Sequence, residues 1–162
     1  MSDMPPPPPP PGNMPPPPSG GGGVSAFGPL ASWGDRAIAA LVNFVPLIVL
    51  SFVIGLVSNT LASLITFAAG IYFYYLDGET GAHPGKRVMG LKTVNMETGQ
   101  PIGGGMGIVR YFAHIVDSIT CFIGYLFPLW DENRQTFADK IMKTVVLKDQ
   151  PKQAFGPEIF KP

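Results

Sequence analysis

The sequence has few charged residues, one cysteine and no excess of either charge. Charged residues make up 14% of its 162 positions, whereas an ordinary soluble domain has about a quarter. Its eleven basic and eleven acidic residues cancel. The chain therefore lacks the positive footprint that nucleic-acid phosphates require, and we expect no nucleic-acid partner. A single cysteine, Cys121, cannot form an intrachain disulfide or a thiolate zinc site.

Recognisable catalytic patterns are also missing. The sequence contains no Ser/His/Asp set, no cluster of metal ligands and no dinucleotide fingerprint. The glycine-rich run at residues 103–107 lacks the Gly-Lys-Ser/Thr ending of a phosphate-binding loop, and we interpret it as a flexible hinge. We therefore expect no enzymatic activity, no metal and no cofactor.

Residues 1–28 have the composition of a disordered Pro/Gly-rich tail. Eleven of the first 18 residues are proline, and four consecutive glycines follow. Proline has a fixed φ and no amide donor, so these runs predict polyproline II rather than a packed core. A polyproline-binding protein is a possible partner for such a tail. We expect the tail to be retained, because a secretory signal would need a basic start and an apolar stretch.

A long uncharged gap indicates a membrane protein. Forty consecutive residues between Arg36 and Asp77 carry no formal charge. A helix that spans a bilayer needs about 20 apolar residues, so the gap has room for two. The polar triplet at 58–60 divides it. We therefore predict transmembrane helices at 37–57 and 60–76, with the lipid bilayer as their partner.

A third apolar segment, residues 107–130, is interrupted by charge. Arg110, His114 and Asp117 lie at i, i+4 and i+7, so they share one helical face. Only 13 uncharged residues follow Asp117, too few to span a bilayer alone. The segment is either one kinked span or a membrane-embedded helix with a re-entrant piece.

The distribution of basic residues predicts the orientation. The linker at 58–60 has no Lys or Arg, and all eleven basic residues lie elsewhere. An N-terminus and a C-terminal tail (149–162) that both face the cytoplasm would satisfy the positive-inside rule. This arrangement requires that the third segment does not cross fully. Strand candidates at 88–94 and 144–147 could then pair into a small cytoplasmic β element.

Several short motifs in the same order resemble a known family. Trp33-Gly34-Asp35-Arg36 opens the first span, Gly85-Lys86 and Leu91-Lys92 follow the second, and Thr136-x2-Asp139-Lys140-x3-Thr144 follows the third segment. This pattern resembles the RDD family of small bacterial membrane proteins over about residues 30–148. The resemblance implies a multi-pass protein of the bacterial inner membrane with a domain at 29–148. The family's molecular role is unsettled, and solute or ion transport has been suggested for it.

The resemblance also suggests functional positions. The family's arginine falls on Arg36 and its second aspartate on Asp139. Its first aspartate falls on Asn43, so no ionisable group is carried over there. His83 occupies a position where a threonine is usual.

The charged face of the third segment supplies the strongest functional candidate. Seven residues of helix place Asp117 about 10 Å deeper than Arg110, where an unpaired ion costs several kcal/mol. Its partner could be His114, Arg110 or Arg36. One hypothesis is a neutralised structural pair, and the other is a transport residue. The candidate and family-motif residues together are Arg36, Asn43, Lys86, Arg110, His114, Asp117 and Asp139.

Two functions fit these observations. The first is support of solute or ion transport by a homo-oligomer or together with a membrane partner, because two or three helices cannot enclose a pathway. The alternative is a non-transporting membrane anchor or adaptor whose Pro-rich tail recruits cytoplasmic proteins.

Overall fold

The computed structural model describes residues 24–120 and 123–162 and is mostly helical. Its two longest helices are α1 (Trp33–Gly55) and α2 (Asn59–Thr80). Both are long and apolar enough to cross a membrane, judged by length and composition. The two predicted spans therefore correspond to helices, but α2 continues four residues beyond the predicted end at residue 76.

Local hydrogen bonds set the ends of these helices. Ser32 begins α1 with a reciprocal capping box, in which its hydroxyl accepts from the Asp35 amide at 3.1 Å and the Asp35 carboxylate accepts from the Ser32 amide at 2.8 Å. The Ser58 hydroxyl caps α2 by accepting from the Leu61 amide at 3.3 Å. α2 ends only at Gly81, whose φ of 84° is readily adopted by glycine. Because α2 ends so late, Asp77 lies inside the helix.

The third apolar segment is a bent pair of helices. α4 (Gly104–Ile119) is followed by the short α5 (Ile123–Leu126) and a 3-10 turn at Phe127–Leu129. The two parts are bent by 104°, so the described residues hold two helices that could cross a membrane, or three if this pair counts as one. A bend of this kind fits a broken span as well as a re-entrant loop, so both alternatives for the third segment remain.

The glycine run at residues 103–107 begins α4 and forms a packing surface, not the predicted flexible hinge. Residues 104–107 form the first turn of α4, and Gly107 lies against Gly78 of α2. A β-carbon on either glycine would collide with the backbone of the other helix. The Gly103 amide also donates to the Gly78 carbonyl at 2.8 Å. The glycines therefore permit the close approach of α2 and α4.

A small antiparallel sheet lies beside the end of α2. It pairs β3 (Lys92–Asn95) with β4 (Thr144–Leu147), as the two strand candidates suggested. β3 begins later than expected because residues 84–89 form helix α3 (Pro84–Met89), which Gly90 terminates with a φ of 67°. Helix α6 (Phe137–Ile141) precedes β4. The apolar core of this region contains Leu30, Val94, Val145 and Leu147.

Both predicted tails are more ordered than their compositions suggest. β1 (Val24–Ser25) pairs with β2 (Gly28–Pro29), so the last five residues of the predicted N-terminal tail are part of a hairpin. Residues 1–23 lie outside the described residues. The C-terminal tail folds back onto α2 and α3 through a 3-10 turn at Pro157–Phe160. Its Ile159 is fully buried, and the Lys161 carbonyl accepts from Arg87 Nη1 at 2.6 Å.

The membrane topology can be tested with single cysteines. We expect an impermeant thiol reagent on intact cells to label a cysteine at Asn59 but not at Ser2 or Pro162, each introduced in a Cys121→Ser background. The α1–α2 linker has no basic residue, and the positive-inside rule then predicts that the opposite ends of both helices, with all eleven basic residues, face the cytoplasm. Labelling at residue 162 would instead establish that the bent pair crosses the membrane.

Candidate functional site

Arg110 is the centre of a buried ion-pair network. Its Nη1 donates to Asp77 Oδ2 at 2.6 Å, and its Nη2 donates to Asp139 Oδ1. The side chain is 3% exposed and both carboxylates are fully enclosed. Because Asp77 lies on α2, Arg110 on α4 and Asp139 on α6, a single guanidinium joins three helices.

Asp77 receives a second cation from Lys86 of α3. The Lys86 ammonium donates to both Asp77 oxygens at 2.8 and 3.0 Å, and to Thr93 Oγ1 of β3 at 2.5 Å. Burial lowers the pKa of Lys86 to about 8, although the Asp77 carboxylate acts to raise it. The amine is therefore mostly charged at pH 7, and its three donors tie α3 and β3 to α2.

Asp139 receives its second cation from Arg36 of α1. Arg36 Nη1 donates to Asp139 Oδ2 at 2.5 Å. The same carboxylate closes a capping box with Thr136 at the start of α6 and accepts from Thr144 Oγ1 at 3.2 Å. Burial acts to raise the pKa of Asp139, but the charges of Arg110 and Arg36 outweigh it and hold the pKa well below its ordinary value. Asp139 therefore stays ionised while it holds α1, α4 and α6 together.

Asn43 and His83 form a neutral pair beside this network. Asn43 Nδ2 donates to His83 Nδ1 at 2.7 Å, and Asn43 Oδ1 accepts from the Gly85 amide at 2.7 Å. His83 Nδ1 also accepts from the Lys86 amide, as the N-cap of α3. An unprotonated Nδ1 is required for both contacts. Burial and the charge of Lys86 lower the pKa of His83 to about 3, which keeps the ring neutral.

In the described part of the chain, the carboxylate of Asp117 contacts a histidine and two backbone amides, and not an arginine. Its Oδ2 lies 2.7 Å from His114 Nδ1, and its Oδ1 accepts from the amides of Phe137 and Ala138 at 3.0 and 3.4 Å. Of the three predicted partners Asp117 therefore contacts His114, and among the described residues neither Arg110 nor Arg36 forms an ion pair with it. The start of α6 supplies the missing positive potential, since its first amides have no partners within the helix.

The structure therefore gathers all seven candidate residues at one end of α1 and α2, in one buried cluster. Asp77 is the residue that the sequence reasoning missed. In the sequence it marks only the boundary of the uncharged run. It is nevertheless the first acid after that run and precedes Lys86 by nine residues. This position, directly after the apolar run, is the sequence signal that could have identified it.

The cluster forms the floor of a cleft of about 630 Å³ between α1 and the bent pair, with α2 behind it. Its walls are mostly apolar. The polar and charged side chains that line it are those of Arg36, Asn43, His83, Lys86, Arg110, His114, Tyr125 and Thr136. The apolar or aromatic lining includes Trp33, Leu41, Phe44, Phe73 and Tyr74. A cleft of this volume with few polar groups at one end has the form of a small-molecule site.

The model of the RDD family matches residues 30–143. The chain belongs to the RDD family. The match runs from the residue after β2 to two residues beyond α6, so it contains Asp77 and all seven candidate residues of the buried cluster. The apolar helices and the family together identify a membrane protein.

Curated relatives share parts of this RDD chain. The proline-rich antigen of Mycobacterium leprae is 52% identical over 95 residues, which cover 58% of this chain and 38% of the relative. A proline-rich antigen homolog of Mycobacterium tuberculosis is 58% identical over 71 residues, or 44% of this chain and 30% of the relative. The chain thus spans less than half the length of these mycobacterial relatives. An uncharacterized protein of Haemophilus influenzae is 31% identical over 136 residues, covering 78% of this chain and 85% of the relative. No solved structure matches the chain.

The buried network predicts a large cost for removing one acid. Asp77→Asn keeps the side-chain shape but leaves Lys86 and Arg110 short of a counter-charge. We expect a loss of about 3–5 kcal/mol in the free energy of unfolding, measured by denaturant titration in mild detergent. Glu97→Gln is the matched control, because Glu97 pairs with Lys143 on the surface and should change stability by less than about 0.5 kcal/mol. Equal effects of the two substitutions would contradict the central role of Asp77.

His83 predicts an acid-sensitive fold. Its folded pKa of about 3 lies below the ordinary value of 6.5, so the folded state binds fewer protons than the unfolded state between those pH values. Stability should therefore fall as the pH is lowered through that window, by up to about 2 kcal/mol between pH 6.5 and pH 5. His83→Asn, which keeps a neutral acceptor, should lose this dependence. If the melting temperatures of both proteins fell equally between pH 7.5 and pH 5, the low pKa of His83 would not explain the acid sensitivity.

Proposed function

We propose that this RDD protein supports transport of a small solute or ion across the bacterial inner membrane. The observation that carries the proposal is the cleft between α1 and the bent pair, with its apolar walls and charged floor. Leu41 and Phe44 at its edge are exposed, so the cleft opens on the flank of the helices. A solute could enter it without first crossing the buried network.

Transport requires more than one copy or a larger membrane partner. Two or three helices cannot enclose a pathway, and the cleft is open on one side. A second copy or another membrane protein would supply the missing wall. We further propose that the clustered network, the sheet and both termini face the cytoplasm, since this orientation places all eleven basic residues inside. The proposed role is not enzymatic and involves no cofactor or nucleic acid.

Within this proposal Asp117 is a structural residue. It is fully buried, absent from the cleft lining, and held by His114 and two backbone amides. A transport residue would instead need contact with an aqueous path. Its geometry therefore supports the first of the two hypotheses for this position.

A second candidate function is that of a non-transporting adaptor. The observations that favour it are the eleven prolines among the first 18 residues and the name of the mycobacterial relatives, proline-rich antigen. In this proposal the helices anchor the chain and the tail recruits a cytoplasmic polyproline-binding protein. An adaptor needs the tail and the anchor, whereas a transporter needs the cleft.

The cleft can be blocked without touching the ion pairs. Ala40 lines the cleft, so Ala40→Phe should fill it. Ala68 on α2 is exposed and lies outside the cleft lining, so Ala68→Phe is the matched control. We expect flux of the transported solute, identified from a panel of cations, amino acids and fatty acids in proteoliposomes, to fall at least about tenfold in Ala40→Phe and to stay unchanged in Ala68→Phe.

Two outcomes would contradict this proposal. Normal flux in Ala40→Phe would remove the cleft from the transport path. Absence of flux for the whole panel, combined with loss of a cellular phenotype on deletion of residues 2–23, would favour the adaptor.

A further inference from the structure

The charged groups that line the cleft are all positive. Arg36, Lys86 and Arg110 contribute to its surface, whereas their partners Asp77 and Asp139 lie behind them and are absent from the lining. The carboxylate of Asp117 belongs to the same buried cluster but is also absent from the lining, where it is held by His114 and the start of α6. The cleft surface therefore presents cations only.

Three N–H groups of the two arginines have no partner among the described residues. They are Nε and Nη2 of Arg36 and Nε of Arg110, and each is almost completely buried. A buried donor without an acceptor loses its hydrogen bond to water and gains none in return, so native proteins rarely leave several together. Both arginines line the cleft, so an acidic group that reached these donors from the cleft would supply the acceptor that the described residues lack.

The free edge of Arg36 has a specific geometry. Its one ion pair with the described residues uses Nη1, so Nε and Nη2 remain as two neighbouring parallel donors. This edge of a guanidinium matches the two oxygens of a carboxylate or phosphate in a bidentate contact. A metal cation or a protonated amine would instead meet like charge.

The walls of the cleft suit a different chemistry from its floor. Leu41, Phe44 and Phe73 line it, and the first two are exposed at its edge. A small inorganic anion would leave this apolar surface uncovered. A ligand with an apolar chain would cover the walls while its acidic end reached the arginines.

We propose that the cleft binds an anionic amphiphile, with its carboxylate or phosphate group on the free edge of Arg36 and beside Arg110 Nε, and its apolar chain along α1. This inference deepens the proposed function and rests on it, because it names the class of solute that the same cleft accepts. The acidic group could belong to a free fatty acid or to a membrane lipid, since both present the same chemistry.

Trp33 offers a direct reporter because it lines the cleft. The full-length protein, with Trp130→Phe to leave one tryptophan, would be titrated in a neutral maltoside detergent with 11-bromoundecanoate, whose bromine quenches nearby indole fluorescence. We expect saturable quenching. The neutral analogue 11-bromoundecanol should bind at least about tenfold more weakly, a difference of about 1.4 kcal/mol.

Two variants separate the acidic end from the chain. Arg36→Lys keeps the positive charge toward Asp139 but removes the bidentate edge, and it should weaken bromoundecanoate binding by about tenfold. Ala40→Phe should abolish saturable quenching by filling the cleft, and Ala68→Phe should leave it unchanged. If Arg36→Lys fails to fold, the comparison of acid with alcohol and the Ala40→Phe variant still decide the question.

A second titration, in lipid nanodiscs, distinguishes a free fatty acid from a membrane lipid as the source of the anion. Phosphatidylcholine discs would receive either bromoundecanoate or a small fraction of brominated-chain phosphatidic acid. If the brominated lipid quenches Trp33 in a saturable way that Ala40→Phe abolishes, the ligand is a membrane lipid. If only the fatty acid does so, the ligand is a free amphiphile. Either result supports the proposal.

The failures of this inference and of the proposed function are distinguishable. Equal binding of the acid and the alcohol, both lost in Ala40→Phe, would overturn the anion preference while leaving the cleft as a solute site. Saturable quenching by neither probe would overturn the inference and assign the unpaired donors to ordered water alone. The proposed function itself fails if Ala40→Phe leaves flux unchanged.

Discussion

The fold depends on the contact of one guanidinium with two carboxylates. Arg110 lies between Asp77 and Asp139, and each of these acids then receives a second cation from another element, Lys86 or Arg36. A buried ion costs several kcal/mol unless it is paired and fully hydrogen-bonded, so none of these groups is stable there alone. Neutralising the charges and assembling α1, α2, α3, α4 and α6 are consequently the same event. The surrounding small-residue contacts, such as Gly78 on Gly107, bring the helices close enough for the ion pairs to form.

Sequence patterns predicted the parts of this arrangement that follow from local periodicity. The uncharged run gave the two long helices because hydrocarbon thickness fixes how many apolar residues a span needs. Helical spacing correctly put Arg110, His114 and Asp117 on one buried face. The partner strands β3 and β4 were recognisable from β-branched composition. Each of these features depends on neighbouring residues only.

The pairing within the site was not predictable in the same way. Asp117 is held by the start of α6, twenty residues further along the chain, and the loop that brings α6 there has no periodic signal. The end of the uncharged run predicts the end of the helix at residue 76, whereas α2 continues four residues further to Thr80 and thereby includes Asp77. The order in the C-terminal segment depends on a tertiary contact, the burial of Ile159, that composition does not encode. Long-range partners therefore required coordinates.

The two departures from the family pattern have one physical explanation. Asn43, where the resemblance leads one to expect an aspartate, contacts His83, where it leads one to expect a threonine. In this chain an amide donates to a neutral imidazole at these two positions, so the contact forms without a charge on either residue. An aspartate at position 43 would add a carboxylate to the cleft lining, where Asn43 now stands. With Asn43 the charged groups of the lining are cationic only, and the proposed preference for an acidic ligand rests on this difference.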